Sequence, residues 1–281
     1  MSLLLLCWLL SSVVAFPFDY LGESALAALT GAQASTNQRN LKSSSELGWA
    51  DPRLNGGRFL DYTTKKYGEP LNVIVSGLSD PFILTDAGFK LYVKSLGYSE
   101  ECLGLHMGQL HDANLGDGDG RTTELFLMRQ YYFPVWGTCW ESIAGGHHFR
   151  AWKQNGTLAN TGAWFIGASK EYDSTRSHKI IPNGYNIGRD WFVDRAVRGG
   201  TWRSNSWKAE VEYREDLIEE GKKGVNHGIA QDGRVAILTV VRLDAEFVAE
   251  QNLPPFLIVI EVVGALSSLL FICYFGLSYC M

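Results

Sequence analysis

GGHHFRAWKQNGT (Gly145–Thr157), GAWFIGASKEY (Gly162–Tyr172) and STRSHKIIPNGYNIGRD (Ser174–Asp190) follow one another closely in this chain. His148–Gln154 and Ala163–Ser169 are rich in aromatic or β-branched residues and read as strands. They meet through Asn155-Gly156, a pair that favours hairpin turns, with TLANTG lengthening the loop. Neighbouring strand residues point to opposite faces. His147 and His148 therefore cannot both ligate one metal without a bulge, whereas His148, Arg150 and Trp152 share a face. After Pro182 the pattern becomes helical. Asn186 is the expected cap of a helix running to about Arg198 and stopped by Gly199-Gly200. Asp190 falls in its first turn, where the helix dipole favours a carboxylate. Phe192, Val193, Ala196 and Val197 form its core face.

Working outward, LNVIVSGL from Leu71 is an apolar strand. Asp80 and Pro81 are expected to open a helix whose apolar stripe is Phe82, Ile83, Ala87, Leu91 and Leu96, with Gly97 past its end. The intervening GLSD lacks the glycine spacing of a nucleotide-binding loop. Asp112–Glu124 offers Asp112, Asn114, Asp117, Asp119 and Glu124 as oxygen ligands, but Arg121 breaks the calcium-loop spacing. Asp-Gly pairs make tight turns without a metal, and that reading is preferred. TELFLMRQYYF is a further strand. WKAEVEYR alternates, with Trp207, Ala209, Val211 and Tyr213 inward, and RVAILTVV (Arg234–Val241) is a buried strand. Helices are few and strands local. The expected fold is α+β, a mixed, largely antiparallel sheet with a few helices, plus a C-terminal transmembrane helix.

The ends set the expected compartment. Residues 2–15 are uncharged and hold an apolar run from Leu3 to Leu10, which reads as a signal peptide over 1–15; a signal anchor is the rival, but the run is short for a span. Residues 16–69 show little periodicity and are expected to be a poorly ordered lead-in or strap. The globular domain is placed at 70–250. Residues 256–281 carry one charge, Glu261, and are long enough to cross a bilayer, which takes roughly 17–25 residues. A transmembrane anchor and a GPI-attachment tail both stay open there. Cys7 leaves with the leader, and Cys273 and Cys280 fall in the terminal segment. Cys102 and Cys139 then remain as a pair in an oxidising lumen, where a disulfide is expected to add roughly 3–4 kcal/mol. Asn155-Gly-Thr157 is the one N-glycosylation sequon. The net charge of −5 and the lack of any basic run argue against a nucleic-acid partner.

With ECLGLHMG, ANLGDGDG, GTCWES and NHGIAQDG, the central phrases resemble a family of secreted fungal proteins without an assigned activity. More distantly they resemble the LssY carboxy-terminal domain, found in bacteria attached to membrane proteins; the likeness runs from about Pro70 to Val241. The bacterial pattern has a histidine followed by acidic residues ahead of an Arg-Asp pair. Here His178 is followed by Ile181, Asn183 and Asn186 at the acidic positions, with Gly188 in place of a glutamate before Arg189-Asp190. If those carboxylates carry chemistry in the bacterial form, this chain lacks them. The resemblance implies a domain and a setting, not a reaction.

Two functional readings follow. One is a membrane-anchored extracellular recognition or structural module, binding a glycan or small anion through Arg150, Asn183, Asn186, Arg189 and Asp190. The other is a hydrolase in which His148 and His178 act with Arg150 or Arg189 on an anionic or sugar-containing substrate. No nucleophile elbow, HExxH or P-loop occurs, and no metal or cofactor is expected. The second reading needs both histidines and an arginine in one pocket.

Overall fold

The apolar run beginning at Leu71 contains a short central strand, β1 (Val73–Val75), in a computed structural model that describes residues 44–104, 108–132 and 137–243. β2 (Tyr98–Glu100), β3 (Asp112–Asn114), β4 (Arg121–Thr123), β5 (Phe126–Gln130), β6 (His147–Asn155), β7 (Asn160–Lys170), β8 (Gly200–Trp202), β9 (Asn205–Arg214) and β10 (Val235–Leu243) follow. Eight strands form one sheet in the order β2-β5-β6-β7-β1-β10-β9-β8, and β3 pairs with β4 apart from it. β1 runs parallel to β10, and the other neighbours are antiparallel. Among the described residues, three helices of eight or more residues accompany the sheet: α1 (Asp86–Ser95), α2 (Gly137–Ala144) and α3 (Gly184–Arg198). The fold is thus α+β with a mixed sheet. The expected signal peptide and the apolar segment 256–281 lie outside the described residues, among which no helix is long and apolar enough to cross a membrane.

Both faces of β1 are covered, which explains its unbroken apolar sequence. Val73 and Val75 enter a core with Phe89 and Tyr92 of α1 and Phe192 and Ala196 of α3. Ile74 points the other way, into a second core with Trp152, Phe165, Trp49 and Phe59. Those last two residues belong to the expected lead-in, so the packed domain begins before residue 70. β9 keeps its alternation: Trp207 and Ala209 are buried, while Lys208, Glu210 and Glu212 are exposed.

The hairpin forms as its turn residues require. Asn155 faces Asn160 across β6–β7, leaving a four-residue loop, and Asn155 and Thr157 are exposed. Asp117 organises that loop, its carboxylate accepting from Asn155 N at 3.3 Å and Gly156 N at 3.2 Å. The Asp-Gly run here acts through turn geometry.

Two helix starts need correction. Asp80 does not cap α1; its carboxylate accepts from Phe82 N and Trp207 Nε1, closing a turn, and Thr85 Oγ1 caps the helix by accepting from Gly88 N. Asn183, not Asn186, is the N-cap of α3, in a left-handed conformation (φ 60°) that asparagine tolerates. Asn186 sits one turn inside and donates to Asn183 Oδ1. α3 then crosses β7 at Gly188, where any β-carbon would collide with the Ser169 backbone.

The Cys102–Cys139 disulfide is present, tying the turn after β2 to α2 across 37 residues. In Cys102→Ser/Cys139→Ser protein, the expected result is loss of the roughly 3–4 kcal/mol of loop-closure stabilisation in urea unfolding. An unchanged midpoint would show that the bridge contributes no stability.

Candidate functional site

Along one face of β6 the chemistry changes with position. Trp152 lies in the second core, while Arg150 and His148 line a cavity of about 630 Å³. The sheet register sets their neighbours, because Arg129 of β5 and Ser169 of β7 stand directly across from His148. Loops supply the remaining walls: Glu69 before β1, Glu101 and Cys102 after β2, His111 before β3, Glu171 and His178 after β7, and His227 before β10.

Glu171 joins the two candidate histidines. Its Oε1 lies 3.4 Å from His148 Nδ1, and its Oε2 lies 3.5 Å from His178 Nδ1 and 3.0 Å from Arg129 Nη1. Arg129 also meets Glu141 at 3.1 Å and Glu101 at 3.3 Å. Burial opposes the Arg129 charge, but Glu141 and Glu171 hold its pKa above the usual value. Burial raises the Glu141 pKa to about 7 despite Arg129, and it raises Glu171 as well. His148 is pushed well below the ordinary range, first by burial and then by Arg129 and Arg150. It is therefore a neutral imidazole at pH 7. Arg150 pairs with Glu124, and its buried Nε has no hydrogen-bond partner among the described residues.

Ser169 completes a superficial Ser–His–Glu series that fails on geometry. Its Oγ is 3.1 Å from His148 Nε2 and also 3.5 Å from Nδ1, so it is not directed cleanly at either nitrogen. The residue is buried and does not line the cavity. Ser169 is therefore a buried neighbour of His148 and not a nucleophile facing the cavity.

His111, which also lines the cavity, contacts Asp61 Oδ2 through Nδ1 at 2.8 Å. Asp61 Oδ1 is fixed by Thr63 N, Thr63 Oγ1 and Glu69 N at 2.7–2.9 Å. One ligand atom each from Asp61, Glu69 and His111 lies within 4.8 Å of the others, and all three residues are buried. Burial, then Asp61, raises the Glu69 pKa to about 7. His227 Nε2 lies 3.8 Å from Glu69, and burial lowers its pKa.

Of the residues singled out from sequence, His148, His178 and Arg150 meet in this cavity. Arg189, Asp190, Asn183 and Asn186 do not line it. Arg189 is 1% exposed and binds Asp232, Asp190 and the Arg234 carbonyl, locking α3 to the turn before β10. Asn186 accepts from Asp232 N in the same junction, and Asn183 lines a shallower neighbouring depression. The Arg-Asp pair is thus a packing device. Arg129, Glu171, Asp61, Glu69 and His111 went unrecognised in the sequence. A charged residue inside the apolar strand FLMRQ was the available signal for Arg129. Comparison with family models, curated proteins and solved structures finds no match for the chain.

Proposed function

We propose that the protein is a hydrolase of the secretory pathway, with His178 as its acid–base group and Glu171 as the carboxylate beside it, 3.5 Å from Nδ1. The observation carrying this reading is the convergence of His148, His178, Arg129 and Arg150 around Glu171 in one cavity. His178 takes a proton from an attacking water and returns it to the leaving oxygen, so the substrate gains the elements of water. Its side chain is 31% exposed, which gives it access that His148 lacks. His178 and the preceding Ser177 both have positive φ (51° and 55°), a costly conformation more common at functional sites.

The substrate class follows from charge. Glu69, Glu101 and Glu171 line the cavity with Arg129 and Arg150, and the buried Glu141 and Glu124 pair with those two guanidinium groups. A neutral, hydroxyl-rich substrate such as a carbohydrate ester suits that balance, because its tetrahedral adduct lets one imidazole act first as base and then as acid. The disulfide supports a lumenal or extracellular setting, and the exposed Asn155 sequon fits glycosylation there. A membrane anchor at 256–281 and kinship with the LssY-like domain belong to the same reading.

Turnover of a glycoside and ester panel by the secreted protein is the test, with His178→Gln as the variant. Expected is a fall in kcat of about 10²–10⁴ with the thermal midpoint retained. Saturable sugar binding without turnover would instead favour the recognition module.

A further inference from the structure

We propose that Asp61, Glu69 and His111, with His227 as a fourth donor, form a binding site for one divalent first-row transition-metal ion. The site goes beyond the hydrolase reading and does not depend on it, since the ion could serve catalysis or structure alike.

Geometry is the first support. Donors bound to one ion at 2.0–2.2 Å stand about 3–4.4 Å apart, and the three donor atoms already lie within 4.8 Å of one another. Adjustment of side-chain torsions closes that difference. Asp61 is held in advance: two backbone N–H groups and a hydroxyl fix Oδ1, leaving Oδ2 on the His111 side. Such outer-shell hydrogen bonds orient metal ligands. His111 is anchored at its own backbone, where its N–H donates to Glu124 at 2.9 Å.

Glu69 is an independent second observation. Its carboxylate group is on the cavity wall in a residue only 6% exposed. Among the described residues its side chain has one hydrogen bond, from Asn226 Nδ2 at the long distance of 3.5 Å. A buried carboxylate so weakly satisfied calls for a cation or a donor. His227, in the turn Asn226–Gly228, lies 3.8 Å away and lines the same cavity. Glu69, Glu101 and Glu171 outnumber Arg129 and Arg150 on the cavity wall, and a divalent cation offsets that excess.

The donor set selects the ion. Calcium and magnesium prefer all-oxygen shells, whereas one or two imidazoles with two carboxylates suit zinc, manganese, iron(II) or cobalt. Zinc, manganese and cobalt(II) chlorides are the probes.

The full chain, stripped with chelator and desalted, is titrated with each ion by calorimetry, and retained metal is measured by mass spectrometry. Expected is one equivalent of zinc or manganese per chain, with a thermal midpoint that rises on loading and falls back with EDTA. Glu69→Gln and His111→Gln should each weaken affinity by at least roughly tenfold to a hundredfold, while His178→Gln binds metal normally. Asp61 is left intact because its carboxylate also holds the loop to Glu69. Cobalt(II) absorption provides a readout on the unmodified protein if either variant misfolds. Binding of none of the three ions by the folded chain overturns the site, as does binding undiminished in both variants. Metal binding without turnover refutes only the hydrolase reading.

Discussion

Asp232→Ala is expected to destabilise the protein by about 3–4 kcal/mol, although the residue lies on the surface turn before β10. Asp232 itself is a third exposed, but its partner Arg189 is 1% exposed. Nη1 and Nη2 of Arg189 reach the two Asp232 oxygens at 2.5 and 2.9 Å, a bidentate pairing. Without Asp232, the guanidinium keeps the Arg234 carbonyl and the largely exposed Asp190. Removing one member of a fully buried pair strands the other charge, at a cost of about 3–5 kcal/mol; the partial exposure of Asp232 and the surviving Asp190 contact place this case at the lower end. Arg189→Met should relieve the stranded charge. The double variant is therefore expected to be more stable than the two single losses predict, with a coupling of about 1–3 kcal/mol in urea unfolding. Strict additivity would refute the pairing as the source.

The helix start shows why this role was hard to read from sequence. IPNGYNIGRD displays an arginine and an aspartate just where a capped helix could present them to an anion. Helix phase alone does not say which way Arg189 points, because its partner lies 43 residues later in the chain. The start at Asn183 in place of Asn186 puts Asp190 in the second turn, beyond the first-turn positions where the helix dipole favours a carboxylate. Gly188 carried better information than the charged pair, since its missing β-carbon lets α3 lie on β7.

Local rules succeeded where neighbours in sequence are neighbours in space. The β6–β7 hairpin, the alternation of β9, the two-sided burial of β1 and the Cys102–Cys139 bridge all follow from short-range patterns or from simple pairing. His148 and Arg150 share a face because strand periodicity is two. The rest of the cavity is non-local. Asp61, His111, Arg129 and Glu171 come from four separate segments, and each resembles an ordinary solvated charge until the sheet register places Arg129 opposite His148. Their burial is the distinguishing fact, and the sequence does not display it.

His147, on the reverse face from His148, leads to the second large effect, an acid destabilisation of about 4 kcal/mol between pH 7 and pH 3. Its ring stacks on Trp191 of α3, with centroids 4.6 Å apart and planes 15° from parallel. Its Nδ1 is buried and has no hydrogen-bond partner among the described residues. Burial, with the Lys170 and Arg195 charges nearby, lowers its pKa to about 3, whereas the unfolded chain protonates near about 6.5. Between those values the unfolded state binds a proton that the folded state refuses. The contribution is therefore complete above pH of about 6.5 and is lost as the pH falls through about 3, at about 1.36 kcal/mol per unit. His148, also buried and neutral, titrates in the same direction, so the wild-type acid limb contains both residues. His147→Phe retains a ring against Trp191 while removing one titration. Its stability should fall less steeply than the wild type's below pH 6.5, by up to about 4 kcal/mol at pH 3. Urea unfolding at half-unit pH intervals measures the difference. Parallel curves from pH 7 to pH 4 would show that His147 protonates equally well in the folded protein, and the buried stack would then not control its acid limb.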